Sequence, residues 1–220
     1  MGFCDYDRDG EVFGVERRDM KYMGLIIGVV VLLIFPNTVV WSMDAALEDV
    51  IKETVNSKIL IWSKDTVVLE AIRQANKEAN KTEAQILELD GRWRQAEDGD
   101  AWVASFSNNP VVVRLKEFQN KVKGKRVLYP EIFIMDRQGN IVSETDKTSD
   151  YWQGDEAKFI KSFADGRGNV FIDEPEYDDS SETYSVQVSV PIIDPQSELA
   201  IGAMTVAINL DALTGELLGL

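Results

Sequence analysis

Apolar residues past position 46 recur at three- and four-residue steps, with Leu47, Val50, Ile51 and Val55 forming one stripe along a helix. The segment "SKDTVVLEAI" restarts the pattern, with Ser63 or Asp65 as the cap and Val68, Leu69 and Ile72 behind it. "KTEAQILELDGRW" carries it on through Ile86, Leu89 and Trp93, so residues 44 to about 98 read as helix, closed by Gly99 and the run "EDGD". A shorter helix, "VVVRLKEFQNKV", follows Asn109-Pro110, and the basic run "KVKGKR" ends it as a solvated helix terminus.

At Tyr129 the period changes from helical to alternating. "YPEIFIMD", the turn "RQGN" and "IVSET" read as a β-hairpin. "GDEAKFIKSFADG" is a short amphipathic helix stopped by Gly166, and "NVFIDEPEY", "TYSVQVSVPIID" and "AIGAMTVAINL" are three more strands. In the second of these, Tyr184, Val186, Val188 and Val190 alternate with Ser185, Gln187 and Ser189, which buries one face and frees the other for solvent or ligand. Helices followed by β-β-α-β-β-β predict an α+β fold, long N-terminal helices packed on a five-stranded antiparallel sheet. The expected divisions are a tail at 1–21, a span at 22–43, a helical region at 44–128, the sheet at 129–211 and the start of a C-terminal helix at 212–220.

The stretch "YMGLIIGVVVLLIFPNTVVWSM", residues 22–43, contains no charge. As a helix of ~1.5 Å per residue it reaches about 33 Å, enough to cross a bilayer core. Arg17, Arg18 and Lys21 precede it and keep the N-terminus cytoplasmic by the positive-inside rule. Residues 44–220 are then extracytoplasmic, on a single-pass protein of the inner membrane. The same run also suits a signal peptide, with Met20 as the true start and cleavage near Ser42, which gives a secreted or periplasmic product.

The net charge of −15 is concentrated late in the chain, where residues 128–220 carry 18 acidic and 5 basic side chains. Such a surface repels nucleic acid, since phosphate neutralisation needs Lys and Arg. The single cysteine, Cys4, excludes an internal disulfide framework, and the absence of histidine excludes Ser-His and Cys-His nucleophile pairs. No activated nucleophile stands beside a base, so the chain is not read as an enzyme, and no cofactor is expected. "DYDRDGEVFGVE" matches the calcium-loop pattern at Asp5, Asp7, Asp9, Gly10 and Glu16. Only Met1–Cys4 precede it as an entering helix and no second loop pairs with it, so no metal site is assigned; a calcium-dependent protein stays an alternative.

The order of elements and three stretches of wording resemble the extracytoplasmic Cache sensor domains, whose sheet is PAS-like. These stretches are "DRQGNIVSETDKTSDYWQGDEAKF", "GNVFIDEPEYDDSSETYSVQVSVPIID" with its Val-Pro-Ile ending, and "LAIGAMTVAINLDAL" with Gly202 in the usual place. The resemblance covers residues 44–213, is strongest over 129–211, and is to the single-module form. It implies a receptor domain that binds a small metabolite between the sheet and its overlying loops and signals through its terminal helices. Amino-acid-binding members carry Arg-x-Trp-Tyr on the helix after the hairpin and an acidic residue late in the last strand. Here those places hold "EAKF", residues 156–159, and Ala207, which points away from an α-amino acid. "LDALTGELLGL" resembles the approach to a second span, so output is expected from a separate protein or a further C-terminal signalling domain.

The loop "SDYWQGDE" offers aromatic walls and convergent polar groups just before a helix, which suits a small polar ligand. Asp150, Tyr151 and Trp152 are the candidate contacts there, and Lys158 on the helix could neutralise an anionic group. In the family picture Tyr177 and Asp178, on the loop after the third strand, face the same region. Each has a plainer reading, as core aromatics, helix caps, an exposed lysine and an acidic surface loop. The rival to a ligand-binding sensor is an envelope interaction module, a homodimer through the N-terminal helices.

Overall fold

The computed structural model describes residues 45–97, 99–119, 126–178 and 183–218, all within one compact unit, Trp41–Leu220. The expected span at 22–43, the calcium-loop match at 5–16 and the run "KVKGKR" up to Lys125 lie outside the described residues. Among the described residues no helix is long and apolar enough to cross a membrane.

Helix α1 runs over Ala45–Thr54, through a π-helical turn at Val55–Ile59, and on through Leu60–Trp62. Its buried stripe, Ile51, Val55 and Ile59, repeats every four residues. On a helix of about 3.6 residues per turn such a stripe drifts off the core. The wider π turn takes up that drift and holds all three against the sheet. Helix α2, Thr66–Glu78, starts at Asp65, whose carboxylate accepts from the Val67 amide at 2.9 Å. Val68, Leu69 and Ile72 are its buried face, as the periodicity predicts. Helix α3, Glu83–Gln95, opens with a Thr82–Gln85 capping box. The continuous helical reading of residues 44 to 98 is therefore divided at Ser63–Asp65 and at Ala79–Thr82. Helix α4, Ala101–Ser107, was not expected; Asp100 caps it by accepting from Trp102 and Val103 amides. Helix α5, Pro110–Gln119, begins with proline at its first position and Asn109 as the cap.

Strands β1 (Ile132–Met135), β2 (Ile141–Glu144), β3 (Phe171–Ile172), β4 (Glu176–Asp178), β5 (Thr183–Ile193) and β6 (Ala200–Asn209) form one antiparallel sheet in the order β2-β1-β6-β5-β3. β4 pairs with β5 as well. The third expected strand is thus two short ones along the same edge of β5, parted by Asp173, Glu174 and Pro175, and the sheet has six strands where five were predicted. Pro175 has no amide hydrogen to give to the ladder, which suits it to that break. The β1–β2 turn needs Gly139, whose φ is +81° and whose absent Cβ would lie 2.5 Å from Gly154 Cα. Helix α6, Ala157–Phe163, follows β2 through a long loop, and α7, Leu210–Leu218, follows β6 directly.

The register sorts the side chains into two unlike faces. One face carries Ile132, Ile134, Val186, Val188, Val190, Ile192, Met204, Val206 and Ile208, and α1, α2 and α5 cover it. Each such side chain contributes about 1.5–3 kcal/mol by leaving water, so this face is where the fold is held. The other face meets α3, α4, α6 and the loop before α6.

Candidate functional site

The second face of the sheet is chemically mixed. Across β2, β1, β6, β5 and β3 the register sets one row of neighbours: Glu144, Phe133, Thr205, Ser189 and Phe171. The flanking rows add Ala203, Ala207, Gln187 and Pro191. Ser189 and Thr205 are fully buried and share a hydrogen bond of 2.9 Å. On this face β6 presents Ala203, Thr205 and Ala207 and β5 presents Ser189, where the opposite face of the two strands has Val, Ile and Met.

Helix α6 lies over β5 and β6 and brings two lysines to the row. The Lys158 ammonium stands 5.7 Å from the centre of the Phe133 ring, pairs with Glu156 at 2.9 Å, and is largely buried. Lys161 sits 4.2 Å over Phe171. Beside the row, Trp93, Trp102, Phe106 and Tyr151 form a cluster with ring centres 5.3–5.9 Å apart. Glu144 closes the row at the edge strand, fully buried. Its Oε2 accepts from the Thr148 amide at 3.0 Å and its Oε1 meets no donor among the described residues. Burial pushes its carboxyl up to about 7, against the Thr148 hydrogen bonds and Lys147, which lower it.

The six residues expected from the sequence fall in three places. Lys158 is on the row. Asp150, Tyr151 and Trp152 are on the loop before α6, each with its own structural partner. Asp150 is paired with Arg94 of α3 at 2.6 Å. Tyr151 is only 4 % exposed, inside the aromatic cluster, and burial raises its phenol well above the usual tyrosine range, with Asp136 adding to the effect. Trp152 bridges to Asn140 at the edge of β2; its indole donates to the Gln138 carbonyl at 2.8 Å and its amide to Asp90 at 3.0 Å. Tyr177 and Asp178 lie on β4, opposite Tyr184 and Thr183. Tyr177 is half-exposed, packs on Tyr184 at 5.2 Å, and points to the aliphatic side of the sheet. Its β5 partner is five residues from Ser189, about 17 Å along the strand. The described contacts do not bring it to Lys158. Asp178 is placed by its backbone alone.

Glu144, Phe133 and Thr205 were not singled out from the sequence, and Ser189 only as one of the residues on the free face of its strand. The alternation of β5 puts Ser189 and Gln187 together on one face, but only the strand pairing aligns them with Thr205, Phe133 and Glu144. Elsewhere, open grooves mark the helical surface: one of about 900 Å³ against α3 and the loop that follows it, and one of about 490 Å³ between α2 and α5. Among the described residues no group of three or more acidic or cysteine side chains could hold a metal ion.

No protein-family model matches the chain, and no curated protein matches it. Among solved structures it is similar to the sensor domain of the V. cholerae histidine kinase DctB, at 16% identity over 76% of this chain and 54% of that one, with a TM-score of 0.36. It is also similar to the ligand-binding domain of the Pseudomonas aeruginosa PAO1 amino acid chemoreceptor PctC in complex with GABA, at 13% identity, 79% and 66% coverage, and a TM-score of 0.34. A third is the sensory domain of the Campylobacter jejuni chemoreceptor Tlp3, at 13% identity, 76% and 65% coverage, and a TM-score of 0.36. The chain spans 54–66% of the length of these three structures. Likeness at this level assigns neither a family nor a ligand.

Proposed function

We propose that this chain is an extracytoplasmic sensor module, held at the membrane through residues 22–43, that binds a small metabolite against the mixed face of its sheet and reports occupancy through α1 and α7. The observation that carries the reading is the composition of that face. Ser189, Thr205 and the half-buried Gln187 line it, and a lysine is drawn in over Phe133. A few convergent polar groups among apolar and aromatic walls are what a small polar ligand needs. Lys158 would meet an anionic group, Ser189 and Thr205 would exchange their mutual hydrogen bond for bonds to the ligand, and Phe133 would form the floor.

The path to the output is short. Thr205 lies on β6, which runs directly into α7, and Asn209 at the junction caps that helix by accepting from the Ala212 amide at 2.8 Å. The Thr183 hydroxyl of β5 lies within hydrogen-bond reach of both Asn209 and Asp211, so both central strands bear on the start of α7. On the far side of the same sheet, α1 packs by Ile51, Val55 and Ile59. A change in the spacing of β5 and β6 at Ser189–Thr205 therefore reaches both terminal helices. The output itself would come from a separate protein or a C-terminal signalling domain.

The test is a thermal-shift screen of the full chain against small carboxylates, amines, amino acids, purines and Ca²⁺. A ligand at ~100 times its dissociation constant stabilises the fold by about 2.7 kcal/mol. The expected hit loses its shift in Lys158→Ala and in Thr205→Val, with both variants folded. A flat screen on folded, self-associating protein would replace this reading with the interaction module, for which Ile61, Val67 and Val113, exposed on the helical side, are the supporting observation. Calcium stabilisation lost with Asp5→Asn would instead favour the calcium-dependent reading.

A further inference from the structure

The Thr148 hydroxyl lies 3.1 Å from Glu144 Oε2 and 2.9 Å from the Asp150 carbonyl oxygen. A hydroxyl carries one hydrogen and donates to one of them at a time. With Glu144 ionised, its charged oxygen takes that hydrogen, and the Asp150 carbonyl keeps only the Gln153 side-chain amide, 2.8 Å away. With Glu144 a carboxylic acid, its own hydrogen goes to Thr148 Oγ1, and Thr148 donates onward to Asp150. Only the second arrangement makes every contact the geometry offers. Burial favours the same state. Glu144 is 0 % exposed, and a carboxylate oxygen without a donor, as Oε1 is, costs more in such a place than the carbonyl of a neutral acid.

We propose that Glu144 carries a proton in the folded protein, and that Glu144–Thr148–Asp150 is a proton-dependent latch by which pH sets how firmly the loop before α6 is held over the mixed sheet face. The latch rests on the sensor reading for its consequence, not for its chemistry. On opening, the Glu144 O–H bond breaks, the proton leaves to water, and the Thr148 hydroxyl turns from the Asp150 carbonyl to the new carboxylate. The loop keeps its other ties: Trp93 Nε1 to the Thr148 carbonyl at 2.9 Å, Asp90 to the Trp152 amide, and the Gln153 amide to the Gly139 carbonyl at 2.8 Å. It loosens without detaching.

The charged groups around Glu144 can be named element by element. On its own loop are Asp146, which favours the proton, and Lys147, which opposes it. Helix α3 presents Asp90, paired with Arg94, which also holds Asp150. Helix α6 presents Lys158 with Glu156, over the Phe133 ring that neighbours Glu144 in the row. Helix α4 carries no charged residue, and the Tyr151 phenol is buried and neutral. Lys147 is the charge that opposes protonation, and burial outweighs it.

The test is a carboxyl-carbon NMR titration of the full chain from pH 4 to 9, with the Glu144 resonance assigned by its loss in Glu144→Gln, alongside amide exchange at Trp152 and Gln153 corrected for intrinsic rates. Glu144 is expected to titrate near neutrality, with exchange at both amides rising several-fold through the same midpoint. Thr148→Val is expected to remove the step in exchange and leave the titration in place. A midpoint in the ordinary carboxylate range, or exchange with no step at the Glu144 midpoint, would overturn the latch. A ligand hit without a pH step removes the latch alone; a pH step with a flat ligand screen removes the sensor reading alone.

Discussion

Glu144→Gln makes the buried carboxyl measurable as stability. The folded protein holds the Glu144 proton up to about pH 7, against an ordinary value of 4.5. A folded-state value above the unfolded one means that folding takes up a proton between the two. The stability tied to that proton is fully present below about pH 4.5 and is lost as pH rises through about 7. Each pH unit in this window removes about 1.4 kcal/mol, so the whole shift is worth about 3 kcal/mol, a large part of the stability of a small domain. Glutamine keeps the shape, has no proton to lose, and its side-chain oxygen can accept from the Thr148 amide as Glu144 Oε2 does. Urea unfolding of both proteins at pH 4.5 to 8.5 gives the difference between them, in which the other titrating groups largely cancel. Glu144→Gln is expected to gain on the wild type steadily across the window and to level off above pH 8. A pH-independent difference, or one that moves the other way, would refute the reasoning from burial.

Trp93→Phe is expected to cost about 2–3 kcal/mol in chemical unfolding, because it leaves the Thr148 carbonyl without its donor and opens a gap beside a fully buried ring. Gly202→Ala places a Cβ about 2.3 Å from the Met135 carbonyl oxygen, so β1 and β6 must separate; a loss of about 2 kcal/mol or more, or failure to fold, is expected by circular dichroism. Thr82→Ala removes the hydroxyl of the α3 capping box and is expected to lower stability by about 1 kcal/mol with the fold unchanged.

The elements that could be read from the sequence are those whose signals are local. Asp65 ahead of a Val68–Leu69–Ile72 stripe announces α2, and the alternation from Tyr184 to Val190 announces β5 together with its free face. Helix α4 is seven residues long, too short for a period to show, and the run "EDGD", read as an end, holds its cap Asp100. The π turn in α1 is likewise invisible in composition, although the strict four-residue spacing of Ile51, Val55 and Ile59 is the reason for it. Lys158 could be named because it stands on a recognisable amphipathic helix. Glu144 could not, because an acidic residue near the end of an edge strand ordinarily meets water; the β1–β2 register and the cover of α3 and α4 bury it. Tyr151 and Trp152 form one aromatic pair in the sequence and part in the structure. Alternation sends the first into the cluster with Trp93, Trp102 and Phe106, and the second onto the hairpin turn.

The most direct measurement is an amide NMR titration of the full chain with the same panel of small carboxylates, amines, amino acids and purines. Saturable shifts centred on Phe133, Lys158, Ser189 and Thr205, spreading along β6 to Asn209 and the start of α7, are the predicted result. Shifts confined to the grooves on the helical surface, or none with any member of the panel, would contradict a ligand site on the mixed face of the sheet.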